Sequence, residues 1–341
     1  MNLPKVSLVI PCYNEEAFIR RVLLDIEKQL YPKEQIEVFV VDGRSTDNTR
    51  SEFEAAQSEV NYSCRLLDNP EKIAPVAMNR GIKAATGSYI FIWGAHASYP
   101  PNFIKNMIQL ALNSKAACVG AVCITEAREK TAKGSAIAEV LQHPLGVGNA
   151  SFRTGTKSIQ EVDTVAFGCY KKETFEQFGL FNPALIRNQD IELNKRIVNN
   201  GGKILLDPGT NCTYFARSKF GGLWKNNFGN GEWVVKTAKI TGKFEALSLR
   251  HFVPMIFVIG LVTCLTLLLV NQTNRLFNRS IDGVLLAPII LYILAITIVS
   301  ARIALKNSSL KIFLNAIFSF FILHISYGFG SLKGLLTSKK I

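Results

Sequence analysis

Acidic residues are nearly absent from the last quarter of this 341-residue chain. Residues 251–341 contain eight Lys or Arg and a single acid, Asp282, so they hold +7 of the total net charge of +13. The first 250 residues contain 31 basic and 25 acidic residues, as an ordinary soluble domain does. No dense basic run with interleaved aromatic residues occurs, which argues against nucleic-acid binding. The basic excess favours an anionic membrane surface or a phosphate-bearing substrate.

Paired cysteines are also missing. The seven cysteines are scattered, their number is odd, and no C-x-x-C pair occurs. This pattern predicts free thiols in a reducing compartment, because both a disulfide framework and a zinc site need regular cysteine spacings. At the N-terminus the apolar stretch 6–11 is too short for the core of a signal peptide. We therefore expect the first domain to stay in the cytosol.

Uncharged hydrophobic runs fill the tail that lacks acids. Residues 252–270 and 284–301 are each close to the minimum length of a membrane span, and their composition favours insertion. A third run, 312–332, either spans as well or lies at the membrane interface. After three spans Lys339 and Lys340 would lie outside, against the rule that basic residues stay inside. Buried helices of a soluble protein are the other interpretation, but three such runs leave little polar surface to cover them.

The preceding residues predict an α/β domain. Apolar runs at 6–10, 36–41, 64–67, 89–93, 116–124 and 162–170 have the length and composition of strands. After the first run, Asn14 is expected to cap a helix with apolar residues at four-residue spacing. Alternation of strands and helices predicts a parallel sheet, whereas residues 125–156 resemble a partly mobile loop. We expect a domain at 1–245 and a membrane domain with two or three hydrophobic helices at 246–341.

Several polar residues at strand ends could carry chemistry. Asp42 follows a strand and could accept hydrogen bonds from a nucleobase or ribose, although aspartate is also common in turns. His96 follows the strand at 89–93, where ligands sit in open α/β sheets, but a lone histidine is often structural. Lys72 could meet phosphates or simply be a surface charge. Asp190 precedes a helix and could cap it or act as a general base.

Four segments, in this order and spacing, resemble the inverting family 2 glycosyltransferases: VSLVIPCYNEE, VVDGRSTDNT, AMNRGIKAATGSYIFIWGAH and RNQDIELNKR. Within the family, GAHASYP, GVGNASFRTGT, VDTVAFGCY and RNQDIELNKRI are most similar to the succinoglycan-type membrane-bound subgroup. The resemblance covers roughly residues 4–235. It implies a nucleotide-diphospho-sugar transferase (GT-A-like) sheet with flanking helices, a nucleotide-sugar donor and a divalent metal, Mn²⁺ or Mg²⁺.

The resemblance also implies roles for individual residues. Asp190 would be the base that deprotonates the acceptor hydroxyl. The residues implied to bind the nucleotide-sugar are Pro11, Tyr13, Glu15, Asp42, Lys72 and Asn79. The residues implied to lie near the acceptor and the diphosphate are Arg153, Arg217 and Trp233.

The chain departs from the family pattern in two places. The metal motif of the family is Asp-x-Asp, or Asp-Ala-His in this subgroup, but Gly94-Ala95-His96 stands here and the first carboxylate is gone. One imidazole is a poor replacement for a carboxylate, so metal could bind weakly at His96, favour Mn²⁺, or be dispensable if Lys or Arg neutralises the diphosphate. At residues 226–233, where relatives often have Gln and Arg, Gly231 and Trp233 remain.

These observations predict a multi-pass glycosyltransferase of the cell membrane, with its catalytic domain in the cytoplasm. It would transfer a sugar with inversion to a polyprenyl-linked or glycan acceptor in polysaccharide synthesis, in contact with membrane lipid and not with nucleic acid. The alternative is a catalytically silent relative that binds nucleotide-sugar or partner proteins in an assembly complex. A transporter is disfavoured because the hydrophobic runs contain no acid.

Overall fold

The structure is a computed structural model that describes residues 3–242, 247–274, 278 and 280–337. The chain forms two compact units. The first consists of Met1–Ile124 and Ala150–Phe215, and the second of Thr125–Asn149 and Ala216–Ile341. The expected domain boundary at residues 245 and 246 lies outside the described residues, as do Lys339 and Lys340.

Nine strands form one mixed sheet. Their bounds are β1 (Val6–Cys12), β2 (Ile36–Asp42), β3 (Ser63–Asp68), β4 (Tyr89–Ile92), β5 (Ala97–Ser98), β6 (Cys118–Ala127), β7 (Gln160–Glu161), β8 (Cys169–Lys171) and β9 (Ile204–Ala216). The order is β3-β2-β1-β4-β8-β6-β9-β5, and β7 pairs with β9. The first four strands are parallel, as predicted, but β8 is antiparallel to β4 and to β6. The sheet is therefore not parallel throughout.

Thirteen helices lie in the described part of the chain. They are α1 (Ile19–Glu27), α2 (Thr49–Gln57), α3 (Ala74–Ala84), α4 (Phe103–Asn113), α5 (Ala132–Val140), α6 (Pro144–Val147), α7 (Ser151–Thr154), α8 (Lys172–Phe178), α9 (Gln189–Asn199), α10 (Phe220–Thr241), α11 (Val253–Asn274), α12 (Ser280–Lys306) and α13 (Leu310–Leu336). Helices α5, α6 and α10 to α13 belong to the second unit.

The first unit has a hydrophobic core on each face of the sheet. Successive side chains of a strand point to opposite faces, so Leu8 and Ile10 of β1 pack in one core and Val9 packs in the other. Helices α1 and α4 cover the first face, and α3 and α9 cover the second. Because both faces are covered, the inner strands are buried along most of their length and are mostly apolar, which is why they appear in the sequence as hydrophobic runs.

One buried carboxylate ties the N-terminal ends of these strands together. Glu37 of β2 accepts hydrogen bonds from Ser7 Oγ at 2.6 Å and from the backbone N–H of Thr86 at 2.6 Å. The Lys5 ammonium lies 3.0 Å from its other oxygen. Burial works to raise the pKa of Glu37, but these hydrogen bonds outweigh it and lower the pKa to about 2.

The structure corrects three local predictions. Helix α1 begins at Ile19 and has no side-chain cap, whereas Asn14 lies five residues earlier with a left-handed φ of 54°. Residues 125–156 are not a loop throughout, since they contain α5, α6 and α7. The strand predicted at 162–170 is represented by β8 alone, which begins at Cys169 after Phe167 adopts a φ of 51°. A left-handed residue cannot continue a strand, so the extended segment is interrupted there.

Close helix packing organises the second unit. Helices α10 and α13 approach so closely that a Cβ atom at Gly330 would lie 2.0 Å from the carbonyl oxygen of Phe228, and one at Gly231 would lie 1.9 Å from that of Tyr327. Helices α11, α12 and α13 are each long and apolar enough to cross a membrane. The three helices differ in how much of their most hydrophobic stretch is buried inside the protein. The buried share is 44% in α13, but 6% in 249–274 and 11% in α12. The third run is therefore covered by protein to a greater extent than the other two, although less than half of it is buried.

Candidate functional site

The site is built on the carboxyl ends of three neighbouring strands. Cys12 of β1 is in register with Asp42 of β2, and Asp42 is in register with Asp68 of β3. The loops that follow β1 and β2 are joined by hydrogen bonds, since Asn14 N–H donates to Ser45 Oγ at 2.8 Å. Strand ends in an open α/β sheet form the usual ligand crevice, and Asp42 follows the end of its strand as the sequence indicated.

Asp42 is fully buried and already hydrogen-bonded. One oxygen accepts from the Ser45 hydroxyl at 2.5 Å, and the other accepts from Arg50 Nε at 2.5 Å. Arg50 also donates to Asp68 at 2.7 Å. Asp42 therefore fixes Ser45 and Arg50 at the strand edge, and the more exposed Asp68 and Arg50 present the polar surface there.

The other predicted nucleotide-binding residues differ in their surroundings. Tyr13 is 47% exposed, and Lys72 Nζ lies 5.7 Å from the centre of its ring, so an aromatic face and a cation stand together at the edge. Pro11 is in register with Val41 near the end of β1. Asn79 is instead held by the backbone of Phe181, to which it donates at 2.8 Å and from which it accepts at 3.0 Å. The amide of Asn79 thereby fastens the segment that leads to α9.

His96 and Glu15 come together at the end of the central strands. His96 Nδ1 lies 3.3 Å from Glu15 Oε1, and the Glu15 backbone N–H is held by Thr49 Oγ1 at 2.8 Å. The His96 ring also meets the edge of Tyr214 from β9 at 5.4 Å between centroids. Two of the predicted residues thus form one polar pair, and Tyr214 is a member of the site that the sequence did not reveal.

The space beside Gly94 is filled by an aromatic ring. A Cβ atom at Gly94 would lie 2.6 Å from Cε1 of Phe167, which is closer than real contacts allow. Phe167 packs edge-on against Tyr99 at 5.7 Å, and Tyr99 stacks on Trp93 at 3.6 Å. The carboxylate missing from the motif is therefore replaced by an aromatic cluster and not by a gap.

The ligand set suits a metal that arrives with the donor better than a resident ion. No group of three or more His, Cys, Asp or Glu that could hold a metal occurs in the described residues. His96 and Glu15 are the two metal-ligating side chains at this point, and a diphosphate would have to supply the remaining oxygens. An imidazole nitrogen in the set favours Mn²⁺ over Mg²⁺, which prefers an all-oxygen shell.

Asp190, the predicted general base, lies partly buried in the first turn of α9. Burial raises the pKa of its carboxyl above the ordinary value, against the opposing effects of the Ile191 backbone N–H and of Arg153. Two neighbouring polar atoms, Asn188 Nδ2 and Gln189 Oε1, are buried without a hydrogen-bond partner in the part of the chain that the structure describes. Buried polar groups are normally satisfied, so these atoms are suited to hydrogen-bonding a substrate.

Arg153 connects the two parts of the site. Its guanidinium lies 5.5 Å from the centre of the Tyr214 ring, whose other neighbour is His96, and its charge acts on Asp190. It follows α7 residue Phe152, in a segment that the sequence had suggested to be a loop. The arginine therefore carries positive charge into the space between His96 and the predicted base.

Two predicted residues belong to the second unit. Arg217 donates to Asn226 at 3.4 Å, and Trp233 lies in α10 with Lys236 Nζ 5.1 Å from the centre of its ring. Their implied role near the acceptor remains a prediction.

Comparisons with known proteins identify relatives along the whole chain. Residues 7–171 match the family described as Glycosyl transferase family 2. The chain is 29% identical over 344 residues to the dolichyl N-acetyl-alpha-D-glucosaminyl phosphate 3-beta-D-2,3-diacetamido-2,3-dideoxy-beta-D-glucuronosyltransferase of Methanococcus voltae, covering 98% of this chain and 99% of that one. It is 28% identical to the succinoglycan biosynthesis protein ExoA of Rhizobium meliloti, over 67% of this chain and 68% of the relative.

A solved structure agrees in fold. The mannosyltransferase PcManGT from Pyrobaculum calidifontis, determined in complex with GDP-Man and Mn²⁺, aligns with a TM-score of 0.64 at 18% identity, over 97% of this chain and 87% of that one. The mixed sheet with flanking helices is therefore the GT-A-like fold that the motifs implied. The family match and the succinoglycan relative bear out the resemblance, and residues 7–171 form a glycosyltransferase family 2 domain.

Proposed function

We propose that this protein transfers a sugar from a nucleotide-sugar to a hydroxyl group of a lipid-linked or polysaccharide acceptor, with inversion at the anomeric carbon. The family and the relatives support glycosyltransferase activity in polysaccharide or glycolipid synthesis. Support for the finer assignment comes from Asp190, a carboxyl with a raised pKa that is flanked by buried polar atoms without partners. This is the observation on which the proposal depends.

In the proposed reaction Asp190 is the general base. Its carboxylate accepts the proton of the acceptor hydroxyl while that oxygen forms a bond to the anomeric carbon. The bond from the anomeric carbon to the diphosphate breaks on the opposite face, and the diphosphate leaves with the electron pair. A raised pKa makes Asp190 a stronger base than an ordinary aspartate, provided that the pH lies above that pKa.

The strand edge would hold the donor. Tyr13 offers an aromatic face to a base or ribose, and Lys72 beside it offers a cation to a phosphate. Arg153 is placed to offset the charge that develops on the departing diphosphate. Where Mn²⁺ accompanies the donor, His96 and Glu15 are the residues that would contact it, and the metal would add further neutralisation of the diphosphate.

The membrane part of the proposal rests on the tail. Helices α11 and α12 expose apolar side chains along most of their length, and the connection from α12 to α13 is flanked by basic residues, with Arg302 and Lys306 in the last turns of α12 and Lys311 in the first turn of α13. Basic residues between spans favour the cytoplasmic side. We therefore propose a multi-pass protein of the cell membrane with the catalytic unit in the cytoplasm.

Replacement of Asp190 tests the reaction. Asp190→Asn should lower turnover by about 10²–10⁴-fold, the usual size for a lost general base, and should leave donor binding intact. The control is Asp207→Asn. The Asp207 carboxylate accepts hydrogen bonds from Gly209 N–H and Thr210 Oγ1 in its own strand, so it has a local structural role and is not a predicted site residue. Transfer should be measured with purified full-length protein on a panel of nucleotide-sugars. More than a tenth of wild-type activity in Asp190→Asn would remove Asp190 from this role.

One observation favours the alternative, a silent nucleotide-sugar-binding component. Phe167 occupies the place beside Gly94 where the family carries its first carboxylate. The same panel separates the two functions. Saturable donor binding without transfer or donor hydrolysis, with and without Mn²⁺, would establish the silent protein.

A further inference from the structure

A cavity lies within the second unit, and the residues that form it have no part in the proposed sugar transfer. Its volume is about 320 Å³, and it opens beside the C-terminal end of α12. Val299, Arg302, Ile303 and Lys306 line it from that helix. Their spacing of three and four residues places them along one face of α12, so apolar and cationic side chains alternate on a single wall.

The opposite wall comes from the end of α5 and the start of α6. It contributes Glu139 and His143. Glu139 is bound by Lys306 Nζ at 3.1 Å. Arg302, in contrast, makes no hydrogen bond or ion pair with any residue that the structure describes. The cavity therefore holds one paired and one unpaired cation, and its net charge is +1 while His143 is neutral.

The histidine contributes a donor of known identity. His143 Nδ1 accepts the backbone N–H of Leu145 at 3.0 Å, so in the neutral ring the proton is on Nε2. Burial lowers the pKa of His143 below its ordinary value, and Arg302 lowers it further, against the effect of Glu139. The neutral ring stands edge-on against Phe320 at 5.9 Å, which fixes its orientation. Around neutral pH, His143 is therefore an N–H donor beside the unpaired guanidinium.

We propose that this cavity binds the phosphodiester headgroup of an anionic membrane phospholipid. A guanidinium and an imidazole N–H match the acceptor oxygens of a phosphate, and a net charge of +1 matches the single negative charge of a phosphodiester. Val299 and Ile303 provide an apolar surface that the hydrocarbon next to the headgroup would contact. The cavity lies at the end of a helix long enough to span a membrane, which is the level at which headgroups are found.

The test is phospholipid binding to full-length protein in a neutral detergent, measured by native mass spectrometry during titration with phosphatidylglycerol. Arg302→Gln should weaken the tightest site by about tenfold or more, because it removes a charge-assisted hydrogen bond. The matched control is Lys311→Gln, because Lys311 is an exposed cation on α13 that does not line the cavity. The phosphatidylglycerol affinity of this control should stay within about twofold of wild type. Val299→Trp keeps every charge but fills the cavity, so it should also abolish the tight site.

The proposal rests on the proposed membrane location but not on sugar transfer. The titration is therefore repeated in the Asp190→Asn background, where a retained site with lost turnover separates the two. Equal affinity in wild type and Arg302→Gln would overturn the proposal, as would unchanged binding in Val299→Trp. The proposal would also be overturned if Arg302→Gln weakened the binding of polyprenyl monophosphate or inorganic phosphate but left phosphatidylglycerol binding unchanged. Phosphatidylcholine, which carries no net charge, should bind weakly in all variants.

Discussion

The position of the Phe167 ring predicts that a side chain at Gly94, in the altered metal motif, will destabilise the protein. Restoring the family carboxylate with Gly94→Asp introduces a Cβ atom 2.6 Å from Cε1 of that ring, and carbon atoms pack best at about 3.5–4.0 Å. The ring would have to move by about 1 Å. Tyr99 lies against it, and Tyr99 is in turn stacked on Trp93, so little room exists for the movement. The single substitution should therefore cost about 1–3 kcal/mol of unfolding free energy, as overpacking does.

A double-mutant cycle isolates this contact. Gly94→Ala adds the same Cβ without a charge and should cost a similar amount. In a Phe167→Ala background the space is open, so Gly94→Asp should cost little there. The coupling energy between the two positions should be about 1–3 kcal/mol in favour of the double variant. Denaturant unfolding of full-length wild type, Gly94→Asp, Phe167→Ala and the double variant measures the cycle, and Gly94→Ala is unfolded beside these four. If Gly94→Ala unfolds at the same denaturant concentration as wild type, the ring does not exclude a side chain and the reasoning fails.

The same four proteins test the metal. Titration with Mn²⁺ in the presence of a nucleoside diphosphate, followed by electron paramagnetic resonance, should show tighter binding in Gly94→Asp/Phe167→Ala than in wild type, because a carboxylate joins His96. An unchanged titration in His96→Ala would make His96 structural.

Three further results are expected. Glu37→Gln should lower the free energy of unfolding by about 3 kcal/mol at neutral pH. The pKa of Glu37 is lowered from 4.5 to about 2, so its carboxylate stabilises the fold above pH 4.5 and loses that effect as the pH falls towards 2. Denaturant unfolding at pH 7 and pH 3 should therefore show the difference between the variant and wild type shrink in acid. Gly330→Ala should cost about 3 kcal/mol or more, because its Cβ meets the Phe228 carbonyl, whereas Gly260→Ala, with open space, should change stability by less than about 1 kcal/mol in the same assay. Carbonate and high-salt washing should leave the full-length chain in the membrane fraction, since apolar burial does not depend on salt; recovery in the soluble fraction would contradict the proposed role of 252–341.

The sequence determined the elements whose signal is local. Strands β1 and β2 were evident because both faces of the sheet are covered, so each strand is a mostly apolar run. The candidate spans at 252–270 and 284–301 were evident for a similar reason, since length and lack of charge suffice to predict long apolar helices there. The motifs at the strand ends gave the family and placed Asp42 and His96 at one edge, because parallel strands end together.

Elements held by distant contacts could not be predicted in this way. Strand β9 extends over 13 positions without regular alternation of polar and apolar residues and includes Pro208 and Gly209, so its pairing partners, not its own composition, make it a strand. Helix α10 contains four glycines, which weaken its local signal, but one of them, Gly231, allows the close approach of α13. Asn14 resembled a helix cap by residue type, yet its left-handed backbone serves the joined loops after β1 and β2 instead.

The chemistry of the site divides in the same manner. The sequence could name Asp190 as a base, but its raised pKa depends on burial that only the folded chain provides. It showed that Gly94 replaces a carboxylate, whereas the tertiary structure showed that Phe167, 73 positions later, fills the space. The cavity of Arg302 and His143 depends on two segments more than 150 residues apart, and no local pattern records that contact. Residue types and strand order are local properties, but burial, ring packing and unpaired charges depend on which distant segments the fold brings together.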